Sequence, residues 1–153
     1  MLEPGAKAPA LTGTTADGSS LKLSALRGQW VVVYFYPKDN TPACTTEAQD
    51  FRDLQAGFAE RNAVIVGVSR DTARTHTNFA TKQKLGFALV ADTDETWCKA
   101  FDVIHEKVLY GRHYLGIVRS TFLIDPTGRI HKRWSPVKVP GHAAEVLGSI
   151  PAA

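Results

Sequence analysis

The stretch that decides the fold is WVVVYFY, residues 30–36, followed directly by PKDNTPACTTEAQ, residues 37–49. A continuous run of apolar, β-branched and aromatic residues indicates a strand covered on both faces, and Pro37 ends it. Beyond the proline, apolar positions recur at helical spacing, which predicts a helix over about 43–60. A buried strand that passes through a short loop into a helix is typical of an α/β protein.

The rest of the chain alternates strands and helices around that unit. LTGTTADGSSLKL predicts an N-terminal hairpin, because Asp17-Gly18 suits a tight turn. The remaining predicted elements are the strand NAVIVGVS, a helix from Asp71 or Thr72 to about Leu85 stopped by Gly86, the strand GFALVAD, a helix capped by Asp92, Thr93 or Asp94 and running through Trp97 and Phe101, a loop carrying Tyr110-Gly111, the hairpin of STFLID with RIHKRW, and a weak helix in GHAAEVLGSI. We therefore predict one domain over residues 1–153, an α/β thioredoxin-like three-layer sandwich with a central mixed β-sheet and an N-terminal β-hairpin.

Length and composition narrow the class of protein. The chain has 153 residues, 44% of them hydrophobic and 22% charged, which is ordinary for a domain that buries a core. Its net charge is +3, but lysines and arginines are scattered among acidic residues, so we expect no nucleic-acid partner. The longest apolar run is too short to span a bilayer, and the first residues do not resemble a signal peptide. We expect no membrane association and a cytoplasmic location, where thiols stay reduced.

Cys44 lies where the buried strand gives way to the predicted helix, at the edge where α/β proteins gather their sites. Free backbone N–H groups and the positive end of the helix dipole stabilise a thiolate there, and the thiolate is the nucleophilic form. Pro37 restricts the loop, and Thr41 offers a hydroxyl. Glu47 stands one helical turn after the cysteine and can fix a nearby cation. The alternative is that Cys44 is a small buried residue without chemistry, as most free cysteines are.

Pro37, Thr41 and Cys44 follow the spacing Pro-x-x-x-Thr-x-x-Cys, and FYPKDNTPACTTE closely resembles the active-site loop of the peroxiredoxins. The resemblance is to the bacterioferritin comigratory protein, or peroxiredoxin Q, subfamily, and it extends through PGAKAPALTGTTADG, DETWCKAFDVIHEK and YGRHYLGIVRSTFLIDPTGRI. It implies a thioredoxin-like fold and thiol-dependent reduction of hydrogen peroxide and organic hydroperoxides through a sulfenic acid. It also implies that Cys44 is the peroxidatic cysteine and that Thr41 hydrogen-bonds the peroxide. By the same resemblance, Pro37 shields the pocket and Arg119 flanks the thiolate.

The sulfenic acid must be reduced, and many members of this subfamily carry a resolving cysteine for that step. This chain has Gln49 and Ala80 at the two usual positions, and neither residue can form a disulfide. Cys98 is the one remaining thiol; we expect it to pack in the core together with Phe101, and a resolving role is the alternative. The reductant implied is an external thiol, from thioredoxin or from a glutaredoxin and glutathione system, acting on a monomer or weak dimer.

Other chemistry has less support in the sequence. The five histidines are dispersed without HExxH or Cys/His ligand spacing, so we expect no metal site, and we predict no cofactor. The absence of a CxxC motif argues against a disulfide reductase. Two alternatives stay open: a Cys-His hydrolase with Cys44 as its nucleophile, and a thioredoxin-fold binding or chaperone-like module with weak peroxidase turnover.

Overall fold

The computed structural model describes residues 1–152, in which strands and helices alternate. The strands are β1 (Thr12–Thr14), β2 (Ser20–Lys22), β3 (Trp30–Phe35), β4 (Ala63–Ser69), β5 (Ala88–Ala91), β6 (Ile104–Leu109), β7 (Arg112–Ile117), β8 (Ser120–Ile124) and β9 (Ile130–Trp134). The helices are α1 (Pro42–Asp53), α2 (Gln55–Glu60), α3 (Ala73–Gln83), α4 (Thr96–Ala100) and α5 (His142–Gly148), with a 3₁₀ turn at Leu23–Leu26. The single domain over residues 1–153 stays a prediction, and its last residue, Ala153, lies outside the described residues.

A five-stranded sheet forms the centre of the fold, in the order β5-β4-β3-β8-β9. β3, β4 and β5 run parallel because helices connect them, whereas β8 runs antiparallel to both of its neighbours. β1 and β2 form a separate hairpin, and Gly18 adopts a φ of +83° in its turn. The central mixed sheet and the N-terminal hairpin expected from the sequence are confirmed.

Alternate residues of β3 enter two separate cores, as a strand buried on both faces requires. One core, here the α4 core, joins β3 to side chains of α4; among its members are Val31, Val33, Phe35, Trp97, Cys98 and Phe101. The other, the α1 core, joins β3 to α1, α3 and α5; among its members are Val32, Tyr34, Cys44, Phe51, Phe79 and Val146. Full burial of each large apolar side chain contributes roughly 1.5–3 kcal/mol. Because the two cores lie on opposite faces of the sheet, the sheet separates Cys44 from Cys98.

The segment between α4 and β8 differs from its prediction. β6 and β7 pair with each other as a two-stranded hairpin, where the sequence predicts a loop carrying Tyr110-Gly111. Large apolar side chains stand exposed along it: Val108, Leu109, Tyr110, Tyr114 and Leu115. Much of this hairpin lies outside both cores, so its residues lack the alternation of apolar and polar that marks a half-buried strand. The loop prediction was wrong for that reason.

Helix boundaries also shift relative to the prediction. The helix expected over 43–60 is divided at Leu54, whose φ of −101° and ψ of 3° lie between α1 and α2. At α3 the cap is confirmed, since Thr72 accepts a hydrogen bond from a backbone N–H in the first turn. Lys84, with a left-handed φ of 55°, ends that helix before Gly86 is reached. No helix in the described part of the chain is long and apolar enough to cross a membrane.

Candidate active site

Cys44 is the third residue of α1, and its residue exposure is only 2%. Pro42 occupies the first helical position, where a backbone N–H would have no partner within the helix, so the lack of one costs no hydrogen bond. Thr41 precedes it with the extended backbone of an N-cap residue, at φ −85° and ψ 152°. The sulfur therefore belongs to the first turn of the helix, where unshared backbone N–H groups and the helix dipole favour a negative charge.

The pairing of β8 with β3 brings Arg119 to the cysteine. Ser120 opposes Phe35 in this antiparallel pair, so the residue before β8 lies close to the loop that follows β3. Arg119 Nη2 donates a hydrogen bond to Cys44 Sγ at 3.2 Å, and Nη1 donates to Glu47 Oε1 at 2.6 Å. The arginine side chain is 15% exposed. One guanidinium thus joins the thiol and the carboxylate in a largely buried site.

Glu47 orients the arginine from within the protein. Its side chain is 2% exposed, and burial raises the pKa of its carboxyl to about 7, although the adjacent Arg119 favours the charged form. Oε1 accepts the hydrogen bond from the guanidinium, whereas Oε2 is buried without a hydrogen-bond partner among the described residues. The cation that the sequence expected Glu47 to fix is therefore the one that faces Cys44.

The loop over residues 37–41 carries the other two predicted site residues. Thr41 Oγ1 donates a hydrogen bond to Lys38 O at 2.8 Å. Because this bond uses the only hydroxyl hydrogen, the oxygen of Thr41 is left to accept a hydrogen bond, such as one from a substrate O–H. Pro37 follows β3 directly and is half-buried. Both residues lie in the short segment that leads from the sheet to Cys44.

Sequence reasoning missed a buried network beside this loop. The Asp39 carboxylate accepts a hydrogen bond from the Tyr36 hydroxyl at 2.6 Å and contacts His76 Nδ1 at 2.6 Å. Asp39 and His76 are 37 positions apart, so no sequence motif connects them. The one available signal was the position of His76, three residues before Phe79, on the buried face of a predicted helix.

Cys98 is the third residue of α4 and is fully buried in the α4 core. Asp92 binds the start of this helix, since its two carboxylate oxygens accept the backbone N–H groups of Trp97 at 2.9 Å and of Cys98 at 2.8 Å. Burial raises the pKa of the Cys98 thiol well above its usual range, and the neighbouring Asp92 raises it further. Asp92, one of three caps expected from the sequence, makes these bonds although α4 itself begins only at Thr96.

The two positions without the expected cysteine lie on α1 and α3. Gln49 Nε2 donates a hydrogen bond to Gln83 Oε1 at 2.8 Å, and Arg52 Nη1 donates to Gln83 O at 2.8 Å. Ala80 is half-buried against the α1 core. Gln49 therefore joins α1 to α3 through Gln83, and Ala80 packs against the core, so neither position supplies a thiol.

The chain is similar to known proteins over most of its length. Residues 4–133 match the model of the AhpC/TSA family. The chain belongs to this family. Peroxiredoxin Bcp from Xanthomonas campestris pv. campestris is 51% identical over 137 residues, which cover 90% of this chain and 86% of that protein. A solved structure of the Xanthomonas campestris bacterioferritin comigratory protein, which has alkyl peroxide reduction activity, superposes with a TM-score of 0.91 at 47% identity and covers 97% of both chains.

A more distant likeness is to a yeast mitochondrial 1-Cys peroxiredoxin, whose thiol resolving mechanism runs via glutathione/thioredoxin systems. Its TM-score is 0.80 at 26% identity, over 96% of this chain and 74% of that one.

This peroxiredoxin is therefore a thiol-dependent peroxidase, whose substrates are a peroxide and a thiol reductant. The resemblance to the bacterioferritin comigratory protein, or peroxiredoxin Q, subfamily is confirmed, as is the thioredoxin-like fold. The binding or chaperone-like alternative is not favoured. Nor is a Cys-His hydrolase, because Arg119 and no histidine hydrogen-bonds Cys44 in the described part of the chain.

Proposed function

We propose that Cys44 is the peroxidatic nucleophile, with Arg119 and Thr41 as its catalytic partners. The observation that carries this proposal is the hydrogen bond from Arg119 Nη2 to Cys44 Sγ at 3.2 Å, at the first turn of a helix. A cation and a helix start both favour the thiolate over the thiol. Pro37 restricts the loop and shields the sulfur, and Glu47 holds the arginine in place.

In the proposed reaction the Cys44 thiolate attacks one oxygen of the peroxide in line with the O–O bond. A sulfur–oxygen bond forms while the O–O bond breaks, and its electron pair leaves with the distal oxygen, which takes a proton and becomes water or an alcohol. The sulfur is oxidised to a sulfenic acid as the peroxide is reduced. Donors on Arg119 bind the oxygens more strongly as negative charge develops on them, which lowers the barrier.

Two external thiols then return Cys44 to its starting state. The first thiol condenses with the sulfenic acid, releases water and leaves a mixed disulfide. The second thiol attacks that disulfide and releases the Cys44 thiolate. Three observations support this one-cysteine cycle: the residues at Gln49 and Ala80, the sheet between Cys44 and Cys98, and the likeness to a 1-Cys peroxiredoxin.

Substitution of each cysteine in turn tests the central assignment. We expect Cys44→Ser to abolish peroxide consumption, because the other thiol, Cys98, is fully buried on the opposite face of the sheet and has a raised pKa. Cys98→Ser, the matched control, leaves single-turnover oxidation of Cys44 largely intact. Peroxide consumption and sulfenic acid trapping with dimedone measure both. Undiminished consumption by Cys44→Ser would remove the assignment.

Non-reducing mass spectrometry after one equivalent of peroxide tests the resolution step. The one-cysteine cycle predicts a sulfenic acid on Cys44 and, after a small thiol is added, a mixed disulfide on the same residue. A disulfide requires Cα atoms within about 7 Å, so a bond across the sheet would need local unfolding. A dominant Cys44–Cys98 disulfide contradicts the external-thiol cycle and makes Cys98 the resolving residue.

Gln49→Cys supplies the thiol that this chain lacks at one usual position. We expect the variant to form a Cys44-linked disulfide after oxidation and to accumulate less sulfinic acid than the wild type at high peroxide. Gln49→Ser is the matched control, since it removes the bond to Gln83 without adding a thiol. Equal sulfinic acid in all three proteins would contradict the inference that the missing thiol determines the cycle.

The reductant is the finer part of the proposal. Thioredoxin, or glutaredoxin with glutathione, fits a cycle that needs two thiols from outside the chain. A cytoplasmic location fits two free cysteines, and we propose a monomer or weak dimer as the working form. Steady-state turnover with each reductant in turn identifies the partner, and turnover with neither would exclude both systems.

A further inference from the structure

The loop over residues 37–41, called the peroxidatic loop below, is held to the rest of the protein at Asp39, which is only 3% exposed. Asp39 Oδ1 accepts a hydrogen bond from the Tyr36 hydroxyl at 2.6 Å, and Oδ2 lies 2.6 Å from His76 Nδ1. The Asp39 backbone N–H donates to Asp71 Oδ2 at 2.9 Å. These bonds tie the loop to the end of β3, to the segment after β4 and to α3.

The protons of this cluster can be counted from its contacts. His76 Nε2 lies 2.9 Å from Val90 O, and a carbonyl oxygen only accepts, so Nε2 carries a hydrogen. The contact between His76 Nδ1 and Asp39 needs one further proton, shared by the ring and the carboxyl group. With that proton in place, the hydrogen-bonding capacity of the buried ring is satisfied.

The same count argues against a metal at this position. Ligand atoms of Asp39, Asp71 and His76 lie within 4.8 Å of one another, in a spacing that a cation could bridge. Both ring nitrogens of His76 are already engaged, however, one by Asp39 and the other by Val90. The cluster is therefore complete without an ion and acts as a connection between elements.

The fastened segment contains the residues that have to be positioned for catalysis. Asn40 follows Asp39 with a left-handed φ of 64°, and Thr41 comes next as the N-cap of α1. The Thr41 hydroxyl donates a hydrogen bond to the backbone oxygen of Lys38, the residue that precedes Asp39. A displacement of Asp39 therefore moves the hydroxyl that accepts from the substrate and the helix start that holds Cys44.

Access to Cys44 depends on the same segment. The residue is 2% exposed, so a thiol reductant, which is bulkier than a peroxide and must reach the sulfur itself, needs the loop to open. The two halves of the cycle thus make opposite demands: oxidation needs the loop in place, and reduction needs it displaced.

We propose that the Asp39–His76 hydrogen bond is a latch that positions the peroxidatic loop for attack on the peroxide and limits access of the external thiol to the sulfenic acid. The inference rests on the proposed role of Cys44. Asp39 and His76 are positioning residues, because they act through Thr41 and the start of α1.

Two substitutions at Asp39 distinguish the effect of its hydrogen bonds from the effect of a buried side chain at this position. Asp39→Ala removes both hydrogen bonds of the Asp39 side chain, to Tyr36 and to His76. Asp39→Asn keeps them, because the amide oxygen accepts from Tyr36 while the amide N–H donates to Nδ1 of a neutral His76, whose Nε2–H still donates to Val90. The asparagine variant is therefore the matched control of the same size.

We expect Asp39→Ala to slow oxidation of Cys44 by peroxide at least about tenfold, since a displacement of about 1 Å can cost up to about 100-fold in rate. Reduction of the preformed sulfenic acid by dithiothreitol proceeds faster than in the wild type, because the released loop no longer limits access of the thiol to Cys44. Asp39→Asn stays within about threefold of the wild type in both steps, because it keeps the hydrogen bonds to Tyr36 and His76. Quenched-flow mass spectrometry with dimedone trapping measures each step separately.

Hydrogen exchange of residues 38–43 gives a readout that needs no peroxide. Asp39→Ala increases exchange in this segment, whereas Asp39→Asn does not. If Asp39→Ala fails to fold, Tyr36→Phe replaces it, because it removes one bond to Asp39 and should increase exchange and slow oxidation in the same direction.

Oxidation of folded Asp39→Ala at the wild-type rate, or reduction that is no faster than in the wild type, overturns the latch. Equal defects in Asp39→Ala and Asp39→Asn overturn it as well, because only Asp39→Ala loses the hydrogen bonds of the side chain. A failure of the proposed function looks different, since wild-type peroxide consumption would then survive Cys44→Ser while the hydrogen-exchange comparison still tested the latch.

Discussion

Cys44 and Cys98 occupy matching positions in two parts of the molecule. Each is the third residue of a helix that follows a parallel strand, Cys44 in α1 after β3 and Cys98 in α4 after β5. Each is also buried, at 2% and 0% exposure. What differs is the charged neighbour, because Arg119 donates to the sulfur of Cys44 whereas the Asp92 carboxylate lies against the start of the helix that carries Cys98.

The proposed assignment of Cys44 implies that a helix start does not by itself make a cysteine reactive. Beside Asp92 and without solvent, the Cys98 thiol has a pKa well above its usual range and stays protonated. Beside Arg119, a thiolate at Cys44 is paired with a cation. The neighbouring charge differs in sign between the two sites: Arg119 reaches Cys44 from 75 positions away, whereas Asp92 is only six positions from Cys98.

Removal of the cation should produce the largest change. We expect Arg119→Gln to lower the second-order rate constant for Cys44 oxidation by about 100-fold or more, which corresponds to about 3 kcal/mol of lost transition-state stabilisation. Stopped-flow measurement of single-turnover oxidation checks it. Arg119→Lys is the control, because it keeps the charge but not the two hydrogen bonds to Cys44 and Glu47. Its rate constant should lie between those of the wild type and Arg119→Gln. A rate for Arg119→Gln within a few-fold of the wild type would show that the cation does not distinguish the cysteines.

Glu47 supports that cation and should leave a signature in stability. Burial raises its pKa to about 7 in the folded protein from 4.5, so the folded state binds the proton more tightly than the unfolded state. Its contribution is therefore fully present below pH 4.5 and is lost as the pH rises towards 7, a change of about 3 kcal/mol. The difference in free energy of unfolding between wild type and Glu47→Gln should decrease across this range.

The measurement has to be a difference because His142 acts in the opposite sense. Burial lowers the pKa of His142 to about 4, so its contribution to stability rises with pH between about 4 and 6.5. Urea unfolding of wild type and Glu47→Gln at the same pH values cancels this contribution. A difference that stays constant, or increases, from pH 4.5 to 7 would contradict a protonated Glu47 beside Arg119.

The smallest effect is expected at the other cysteine. Asp92→Asn leaves a single acceptor for the backbone N–H groups of Trp97 and Cys98, and we expect it to lower the free energy of unfolding by about 1 kcal/mol. It should not change the rate of Cys44 oxidation, since the sheet lies between the two sites. Urea unfolding and single-turnover oxidation of the same sample check both parts. A slower oxidation would show that the two cores are coupled.

Much of the fold and the centre of the site could be predicted because their signals are local. The run from Trp30 to Tyr36, Pro37, and the cysteine at a helix start lie together in one short segment. The β6–β7 hairpin could not be predicted in this way, because it is outside both cores and its apolar residues are exposed. The Asp39–His76 contact was missed because no local pattern connects two residues that meet only when α3 packs beside the loop.

The sequence by itself determined the order of strands and helices, the loop with Thr41 and Cys44, and the absence of a second thiol at positions 49 and 80. Only the tertiary structure decided which charge meets which cysteine, because β8 must pair with β3 before Arg119 reaches the sulfur. It also decided that Cys44 and Cys98 lie in opposite cores. Alternate side chains of β3 enter opposite faces of the sheet, and α1 packs on one face while α4 packs on the other. The interaction between a charge and a sulfur depends on a separation of a few ångströms, and packing sets such separations between residues that are remote in the sequence.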